Sequence, residues 1–492
     1  MQGTHYVRRI LHPKKYVSLQ VLCDYAGIKT DNFSDSVKEA LDKKVWQMCV
    51  PGYPAPFHGV WYVRNEEAAE YAMSKSPIAL ISKKQFSDYP CIVVDNPMGL
   101  YAKMSQYYRK LHKKLRATVV TGSIGKTTTS EMLAVVYSKY AKTDYSWDND
   151  NIPDAVSYNV QHLSTSHRMM VQEICESYIH TAQWGSLIAY PTAAVITTID
   201  YSHFERFDSV DAIAAEVCTV VRGLQPKAPV IVTKGEFVWY DKLEGHPAVT
   251  VSDSDNSADY YAKNIRVTSS GLSFVVVDNM KHTEHNVSLV NVYARHNIIA
   301  ALKVFAVSCC DGIPYDKIIT GLENYRTRGI RQNVIWTSSK VCLYVDCFNA
   351  IASSVRSAIE AAGQIPVAGR RIAVLGDVEE CGEQSFAQHD ESVSAVNESN
   401  FDVLITFGEK ISAALSRSEN RVTLSSMPCH DMTEVETYLR NHVSSGDLVL
   451  FKASHSGRLS EIVKRVWPET EVMLQFDSAK KLRLRKILKS CR

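Results

Sequence analysis

The sequence lacks several features that would assign a function class at once. Its twelve cysteines are scattered and include no CxxC pair, so no zinc site is expected. Lys plus Arg number 55 and Asp plus Glu number 53, and the net charge of +2 provides no global basic field for nucleic acid. No stretch approaches the roughly 18 apolar residues of a membrane span, and the basic N-terminus has no apolar signal core. We therefore expect a cytoplasmic protein with reduced thiols, no transmembrane segment and no nucleic-acid partner.

The length and composition indicate a multidomain globular protein. The chain has 492 residues, of which 45% are hydrophobic and 22% charged. At roughly 150 residues per domain this predicts about three domains. We place a small N-terminal α/β domain at residues 1–112, a central domain at 113–333 and a C-terminal domain with a basic tail at 334–492.

The hydrophobic pattern predicts an α/β fold. In the first domain a helical stretch, DSVKEALDKKV, precedes three short strands, GVWYV, PIALIS and CIVVD. The central domain begins with a strand at ATVV, a loop at TGSIGKTTTS and a helix at EMLAVVYSKYA. Later apolar runs, MMVQEI, TAAVITTI, APVIVT and SFVVV, alternate with the helical stretches SVDAIAAEVCTVVRGL and HNIIAALKVFAVSCC. This order is typical of a largely parallel sheet covered by helices.

The last third predicts a second open sheet of the Rossmann-like kind. Its expected strands are CLYVD, SVRSAIEAA, RRIAVLGD, FDVLITFG and DLVLFKAS. The predicted fold is therefore a central parallel sheet that binds a mononucleotide through a phosphate loop, flanked by a small α/β domain and a Rossmann-like domain.

The segment TGSIGKTTTS carries the strongest chemical signal. Its glycines allow the backbone to approach a polyanion, and the following helix N-terminus directs positive partial charge at phosphate oxygens. Lys126 would reach the β- and γ-phosphates, and the Thr127 hydroxyl would bind Mg²⁺. We expect the nucleotide to be held by Gly122, Ser123, Gly125, Lys126, Thr127 and Thr128.

Two further polar residues follow predicted strands of the same sheet. Glu173 closes MMVQEI, and His203 lies just beyond TAAVITTID. Ligands gather at strand ends in open α/β sheets. Considered alone, a glutamate at a strand end is more often solvated or salt-bridged, and a lone histidine is more often a hydrogen-bonded structural residue.

The order of motifs resembles the Mur ligases. From about Ala117 to Val466 the chain contains, in sequence, TGSIGKTTT, DNDNI, QEICES, DYSHFERFDS, ARHNIIAAL, VDCFNA, RRIAVLGDVEECGEQSFAQH and FKASHSGRLSE. The segment LGDVEECGEQSFAQH is similar to a signature of the MurF type, which joins D-alanyl-D-alanine to a UDP-N-acetylmuramoyl tripeptide. The resemblance implies an ATP-dependent, ADP-forming amide ligase of cell-wall peptidoglycan biosynthesis, with Mg²⁺ as cofactor and small molecules as partners.

The resemblance also implies roles for individual residues. Lys126, Glu173 and His203 would be catalytic, and Thr127, Glu173 and His203 would be metal ligands. Asn297 would lie near the adenine, while Arg331 and Asp346 would contact the nucleotide from the hinge and the C-terminal domain. Lys452 matches the lysine of the family's KGSR segment.

The chain also departs from the family pattern. The family's carbamylated lysine, which binds a second Mg²⁺, falls on Val217. The adjacent Glu216 is read either as a substitute ligand or as a plain surface glutamate. Ala453 and His455 replace the glycine and arginine of KGSR, and the N-terminal domain keeps GVWYV without the polar elements that surround a UDP-sugar.

Alternatives therefore stay open for the substrate and for the tail. One is a ligase for another carboxylate, such as an amino-acid polymer or a secondary metabolite, and another is a catalytically degenerate nucleotide-binding partner protein. The tail SAKKLRLRKILKSCR has seven basic residues and no acidic one. It is read as a solvated surface segment or as a contact for anionic lipid or an acidic partner. The oligomeric state is not predicted.

Overall fold

The computed structural model describes most of the chain. The described residues are 13–45, 47–50, 59–146, 151–200, 206–379, 381, 384–418, 425–454 and 457–474. His203, His455 and the basic tail lie outside them, so the predictions for these segments are not addressed by the structure.

The first part of the chain forms a small parallel sheet with helices. Its four strands pair in chain order, β3 (Gln47–Cys49), β4 (Gly59–Tyr62), β5 (Ala79–Ser82) and β6 (Cys91–Val93), and β1 (Val17–Ser18) pairs antiparallel with β2 (Lys44–Val45). The helices are α1 (Leu19–Ala26), α2 (Asp35–Lys38), α3 (Glu66–Met73) and α4 (Pro97–Lys110). Asn65 and Asn96 cap α3 and α4 through their side-chain oxygens, as expected for asparagine at this position.

The central part is built around one large sheet. Among the described residues its strand order is β15-β14-β13-β12-β11-β10-β7-β9-β8, parallel from β8 to β13 and antiparallel over the last two pairings. The strands are β7 (Arg116–Thr121), β8 (Thr143–Tyr145), β9 (Met169–Glu173), β10 (Ala193–Ile196), β11 (Val230–Thr233), β12 (Ala248–Ser252), β13 (Tyr260–Thr268), β14 (Gly271–Asp278) and β15 (Thr283–Val290). The helices are α5 (Lys126–Tyr140), α6 (Pro153–Gln161), α7 (Thr181–Ala189), α8 (Val210–Cys218), α9 (His296–Cys310) and α10 (Tyr315–Asn324).

The last part forms a third sheet with the order β16-β17-β21-β18-β19-β20. Only β16 is antiparallel to its neighbour. The strands are β16 (Asn333–Trp336), β17 (Cys342–Asp346), β18 (Arg371–Gly376), β19 (Val403–Phe407), β20 (Ser425–Cys429) and β21 (Leu448–Lys452). The helices are α11 (Ala352–Gly363), α12 (Ser385–Asn397), α13 (Glu409–Arg417), α14 (Met432–His442), α15 (Leu459–Val466) and α16 (Glu471–Leu474).

Hydrophobic cores lie on both faces of the two larger sheets. On one face of the central sheet a continuous apolar cluster joins the N-terminal elements to α6, α7 and α8, while α5, α9 and α10 cover the other face. Both faces of the third sheet are likewise covered. Parallel strands are stable when both faces are buried, and their apolar character follows from this arrangement. None of the helices in the described part of the chain has the length and apolar character needed to cross a membrane.

The predicted α/β fold class is confirmed, and two local predictions are wrong. SVRSAIEAA was expected to be a strand but lies in helix α11, where its apolar residues face the sheet at helical spacing. The helix expected over DSVKEALDKKV ends at Lys38, because the chain must turn to enter β2 at Lys44. The domain boundaries stay a prediction, supported by the formation of the second and third sheets from separate stretches of chain.

Candidate active site

The phosphate loop connects β7 to α5, as expected from its sequence. Gly122 has a φ of +122°, and an added Cβ would come within 2.4 Å of the Thr197 hydroxyl oxygen, so the position requires glycine. Gly125 has a φ of +90° and forms the N-cap of α5. The loop therefore places the N-terminus of a fifteen-residue helix at the carboxyl end of β7, an internal strand of the central sheet. A helix N-terminus is a favourable place for an anion.

Not every loop amide is available to a phosphate. The N–H groups of Ser123 and Ile124 both donate to the Thr198 carbonyl, at 2.9 and 3.1 Å. These two loop amides are therefore occupied, and the amides of the first turn of α5 stay available to an anion. The Ser123 hydroxyl is buried without a hydrogen-bond partner among the described residues, which suits a group that contacts a ligand.

Lys126, the first residue of α5, is held by an ion pair that the sequence did not reveal. Its Nζ lies 3.0 and 2.8 Å from the two carboxylate oxygens of Glu176, and it also donates to the carbonyls of Gly122 and Ser123 at 2.5 and 3.3 Å. The Lys126 side chain is 13% exposed and that of Glu176 only 1%. The loop lysine is thus folded over its own loop and neutralised by a buried carboxylate.

Glu173 lies beside the phosphate loop, at the end of β9. Its carboxylate accepts hydrogen bonds from Asn151 Nδ2 at 2.9 Å and from the Ser130 hydroxyl at 3.3 Å. Thr127 precedes Ser130 by three residues on α5, so both side chains lie on the same face of the helix. The oxygen donors of Thr127 and Glu173 match the preference of Mg²⁺ for hard ligands.

A complete metal site is not visible in the described residues. No group of three His, Cys, Asp or Glu side chains with ligand-like spacing occurs there. His203, the remaining predicted ligand, lies outside the described residues. Its role, like that of Thr127 and Glu173, stays a prediction.

A second cluster of predicted residues joins the central sheet to the third sheet. Asn297, at the start of α9, donates to the Gln332 side-chain oxygen at 3.1 Å, and its own Oδ1 is buried without a hydrogen-bond partner among the described residues. The backbone N–H of Gln332 donates to a carboxylate oxygen of Asp346 at 3.3 Å. The Asp346 carboxylate pairs with Lys452 at 2.9 Å across adjacent strands. The structure therefore brings Asn297, Asp346 and Lys452 into one connected network.

Arg331 lies next to this network but makes a different contact. Its guanidinium carbon is 3.4 Å from the centroid of the Phe348 ring, a stacked cation–π arrangement. His296 links the same region to the third sheet, since its two ring nitrogens contact the Ser357 hydroxyl at 3.1 Å and Gln332 at 2.9 Å. Burial lowers the pKa of His296, and the Asp346 carboxylate opposes this effect.

Glu216 is not a surface residue, and its neighbour Val217 is fully buried in the core. The Glu216 side chain is only 5% exposed and accepts hydrogen bonds from the backbone N–H groups of His180 and Ala182, at 2.7 and 2.9 Å. Burial raises its pKa, and these hydrogen bonds oppose that shift. Glu216 thus stabilises the N-terminus of α7. The prediction of a surface glutamate is wrong, and the role of substitute metal ligand stays a prediction.

A basic cavity lies between the N-terminal sheet and α7. It has a volume of about 870 Å³, and its lining includes the cations Arg64, Lys83, Lys84 and Arg222 and the carboxylate of Asp95. Three of these cations form ion pairs, Arg64 with Asp154 at 3.6 Å, Lys84 with Glu66 at 2.6 Å and Arg222 with Glu244 at 2.9 Å. Apolar surface comes from Tyr62, Phe86 and Trp184. The cavity lies at the carboxyl ends of β4 and β5 and beside the N-terminus of α4. This combination of rings and cations suits a large anionic ligand.

One short loop connects the basic cavity to the phosphate loop. Glu176 contacts Lys126, and four residues later His180 lines the basic cavity. Four residues span at most about 14 Å.

Sequence reasoning missed Glu176, His180 and the cavity residues, because each acquires its surroundings from chain segments far away in sequence. For Glu176, the only signal in the sequence was that an acidic residue follows Glu173 by three positions.

Two family models match the chain. The Mur ligase middle domain matches residues 120–308, and the Mur ligase, glutamate ligase domain matches residues 330–455. The UDP-N-acetylmuramoyl-tripeptide–D-alanyl-D-alanine ligase of Bacillus subtilis strain 168 is 25% identical over 379 residues, which cover 77% of this chain and 81% of the relative. The enzyme of the same name from Escherichia coli K12 is 26% identical over 392 residues, covering 78% and 84%.

Solved structures share the fold. A crystal structure of MurF from Acinetobacter baumannii aligns with a TM-score of 0.74 at 20% identity, over 92% of this chain and 98% of that one. The MurF ligase of Thermotoga maritima in complex with ADP aligns with a TM-score of 0.73 at 18% identity, over 85% and 96%. Both similarities concern the fold.

Proposed function

The chain belongs to the Mur ligase family and is most like its MurF type, and we propose that it is an ATP-dependent ligase that joins D-alanyl-D-alanine to a UDP-muramoyl tripeptide. The observation that carries this proposal is the loop from Glu176 to His180, which connects the phosphate loop to the basic cavity. A ligase that activates a carboxylate with ATP needs its phosphoryl donor and its acidic substrate side by side. The short loop between the two candidate subsites supports such an arrangement.

The proposed reaction has two balanced steps. A carboxylate oxygen of the peptide attacks the γ-phosphorus of ATP, the bond to the β-γ bridging oxygen breaks, and ADP leaves. The amine of the dipeptide then attacks the acyl carbon, phosphate departs with the bonding electron pair, and the nitrogen loses a proton. Positioning and charge stabilisation account for most of such a rate enhancement.

The residues of the phosphate loop would supply that stabilisation. Lys126 would neutralise charge on the transferred phosphoryl group, and the first-turn amides of α5 would hold the phosphate chain. Thr127 and Glu173, together with the predicted ligand His203, would hold Mg²⁺. When bound, this ion neutralises phosphate charge. The buried Oδ1 of Asn297 and the pair formed by Asp346 and Lys452 would contact the nucleotide from the other side.

The basic cavity supports a nucleotide-sugar substrate rather than a neutral one. Arg64, Lys84 and Arg222 are exposed in their ion pairs, which are therefore weak, so the cations of the cavity could pair with a diphosphate instead, and its rings could stack on a base or a sugar face. The cavity therefore supports the proposal that the N-terminal domain binds an anion despite the missing sequence elements. We also propose the cytoplasm as the location, as is typical of Mur ligases.

The test measures ADP formation with UDP-muramoyl tripeptide and D-alanyl-D-alanine. We expect kcat/KM on the order of 10⁴ M⁻¹s⁻¹ or more. Arg64→Met should raise KM for the UDP-peptide without changing KM for ATP. Arg356→Met is the control, since this arginine forms an exposed pair with Glu398 on the third sheet's helices.

Other outcomes identify the alternatives. Turnover with a different carboxylate, and none with the UDP-peptide, would favour a recruited ligase. Nucleotide binding without turnover over a panel of carboxylates and amines would favour the non-catalytic partner protein.

A further inference from the structure

The contact between Lys126 and Glu176 has a consequence for ligand choice. Both Glu176 oxygens lie within 3.0 Å of Nζ, and the carboxylate is fully enclosed by protein. Two loop carbonyls complete the environment of the ammonium group. The ligand-free loop therefore contains a neutral pair instead of an exposed cation, and it attracts simple anions less than a loop with a free lysine would.

A phosphate oxygen that approaches Lys126 must also approach Glu176. The two anions share one cation, and like charges in a partly dehydrated site repel each other strongly. A divalent cation that arrives with the nucleotide offsets this repulsion. The repulsion between the phosphates and the Glu176 carboxylate therefore weakens binding most for a nucleotide that carries no metal.

We propose that Glu176 is a specificity-determining residue that makes the phosphate loop select metal-bound nucleotide over the metal-free anion. The inference rests on the proposed use of ATP. It assigns Glu176 a role in binding rather than in the chemical step. Replacement by glutamine keeps the size and the hydrogen-bonding capacity of the side chain and removes the charge.

The experiment measures the affinity for a non-hydrolysable ATP analogue by isothermal titration calorimetry, once with excess Mg²⁺ and once with EDTA. In Glu176→Gln we expect metal-free affinity to rise at least about tenfold, while affinity with Mg²⁺ changes by less than about threefold. The ratio of the two affinities should fall accordingly. Glu284→Gln is the matched control, since Glu284 on β15 forms an exposed ion pair with Lys263 on β13 at 2.6 Å.

Glu176→Asp provides a second variant that retains the charge. Its affinity ratio should stay close to that of the wild type, and a ratio that falls at least about tenfold despite the retained charge would overturn the inference even if the glutamine variant did not fold. An unchanged affinity ratio in Glu176→Gln, or weaker binding both with Mg²⁺ and with EDTA, would overturn this inference and leave the proposed function intact. A wild-type protein that binds no nucleotide even with Mg²⁺ would overturn the proposed function and the inference with it.

Discussion

Lys303 lies inside the protein at a position that should lower its stability at neutral pH. It is on α9, a helix buried on nearly all sides, and the side chain is only 1% exposed. Burial lowers its pKa from 10.5 to about 7, and the Glu236 carboxylate only partly opposes this. Between these two values the unfolded chain binds more protons than the folded chain, so stability rises with pH across that window.

The two pKa values determine the size of the effect. Linkage gives a cost of about 4 kcal/mol at pH 7 and about 2 kcal/mol at pH 9. Lys303→Met fills a similar volume without a charge, so it should be more stable than the wild type by these amounts. The measurement is urea unfolding at both pH values, followed by circular dichroism.

The control is Lys317→Met on α10, where the lysine side chain is 49% exposed. Its stability should change by less than about 0.5 kcal/mol at either pH. A Lys303→Met protein that is less stable than the wild type, or whose gain is the same at pH 7 and pH 9, would refute the argument that a buried lysine loses its proton on folding.

Three further predictions follow from the candidate site. Lys126→Ala should lower ADP formation by at least about 10²-fold. The same substitution leaves Glu176 buried without its ion-pair partner, so the double variant Lys126→Ala with Glu176→Gln should show the same loss of activity but a melting temperature closer to that of the wild type than the single variant has. Glu216→Ala should destabilise the protein by about 3 kcal/mol, since it leaves two amides at the start of α7 without acceptors, and thermal unfolding with Glu216→Gln as the milder comparison tests this. Asp346→Ala should weaken ATP affinity measured by calorimetry and abolish any nucleotide-induced compaction in small-angle scattering; full affinity would contradict the nucleotide contact.

Much of the fold follows from local sequence signals. The phosphate loop is a contiguous strand, loop and helix, and the two glycines, the lysine and the threonine need no distant partner to be recognised. The apolar strands of the central sheet are evident because parallel strands buried on both faces contain little else. The order of the motifs predicted the Mur ligase family, and the comparisons confirmed it. The roles of His203 and the other site residues stay predictions.

Only tertiary structure decided how these elements use their polar residues. Periodicity predicted α9 but could not show that Lys303 is enclosed, because burial on the outer side of a helix depends on what packs against it. Glu216 became the N-terminal stabiliser of α7 through a segment more than thirty residues away. Glu176 contacts Lys126, which lies fifty positions earlier in the chain. Such contacts depend on how distant strands and helices are juxtaposed, and a one-dimensional pattern of residue types does not contain that information.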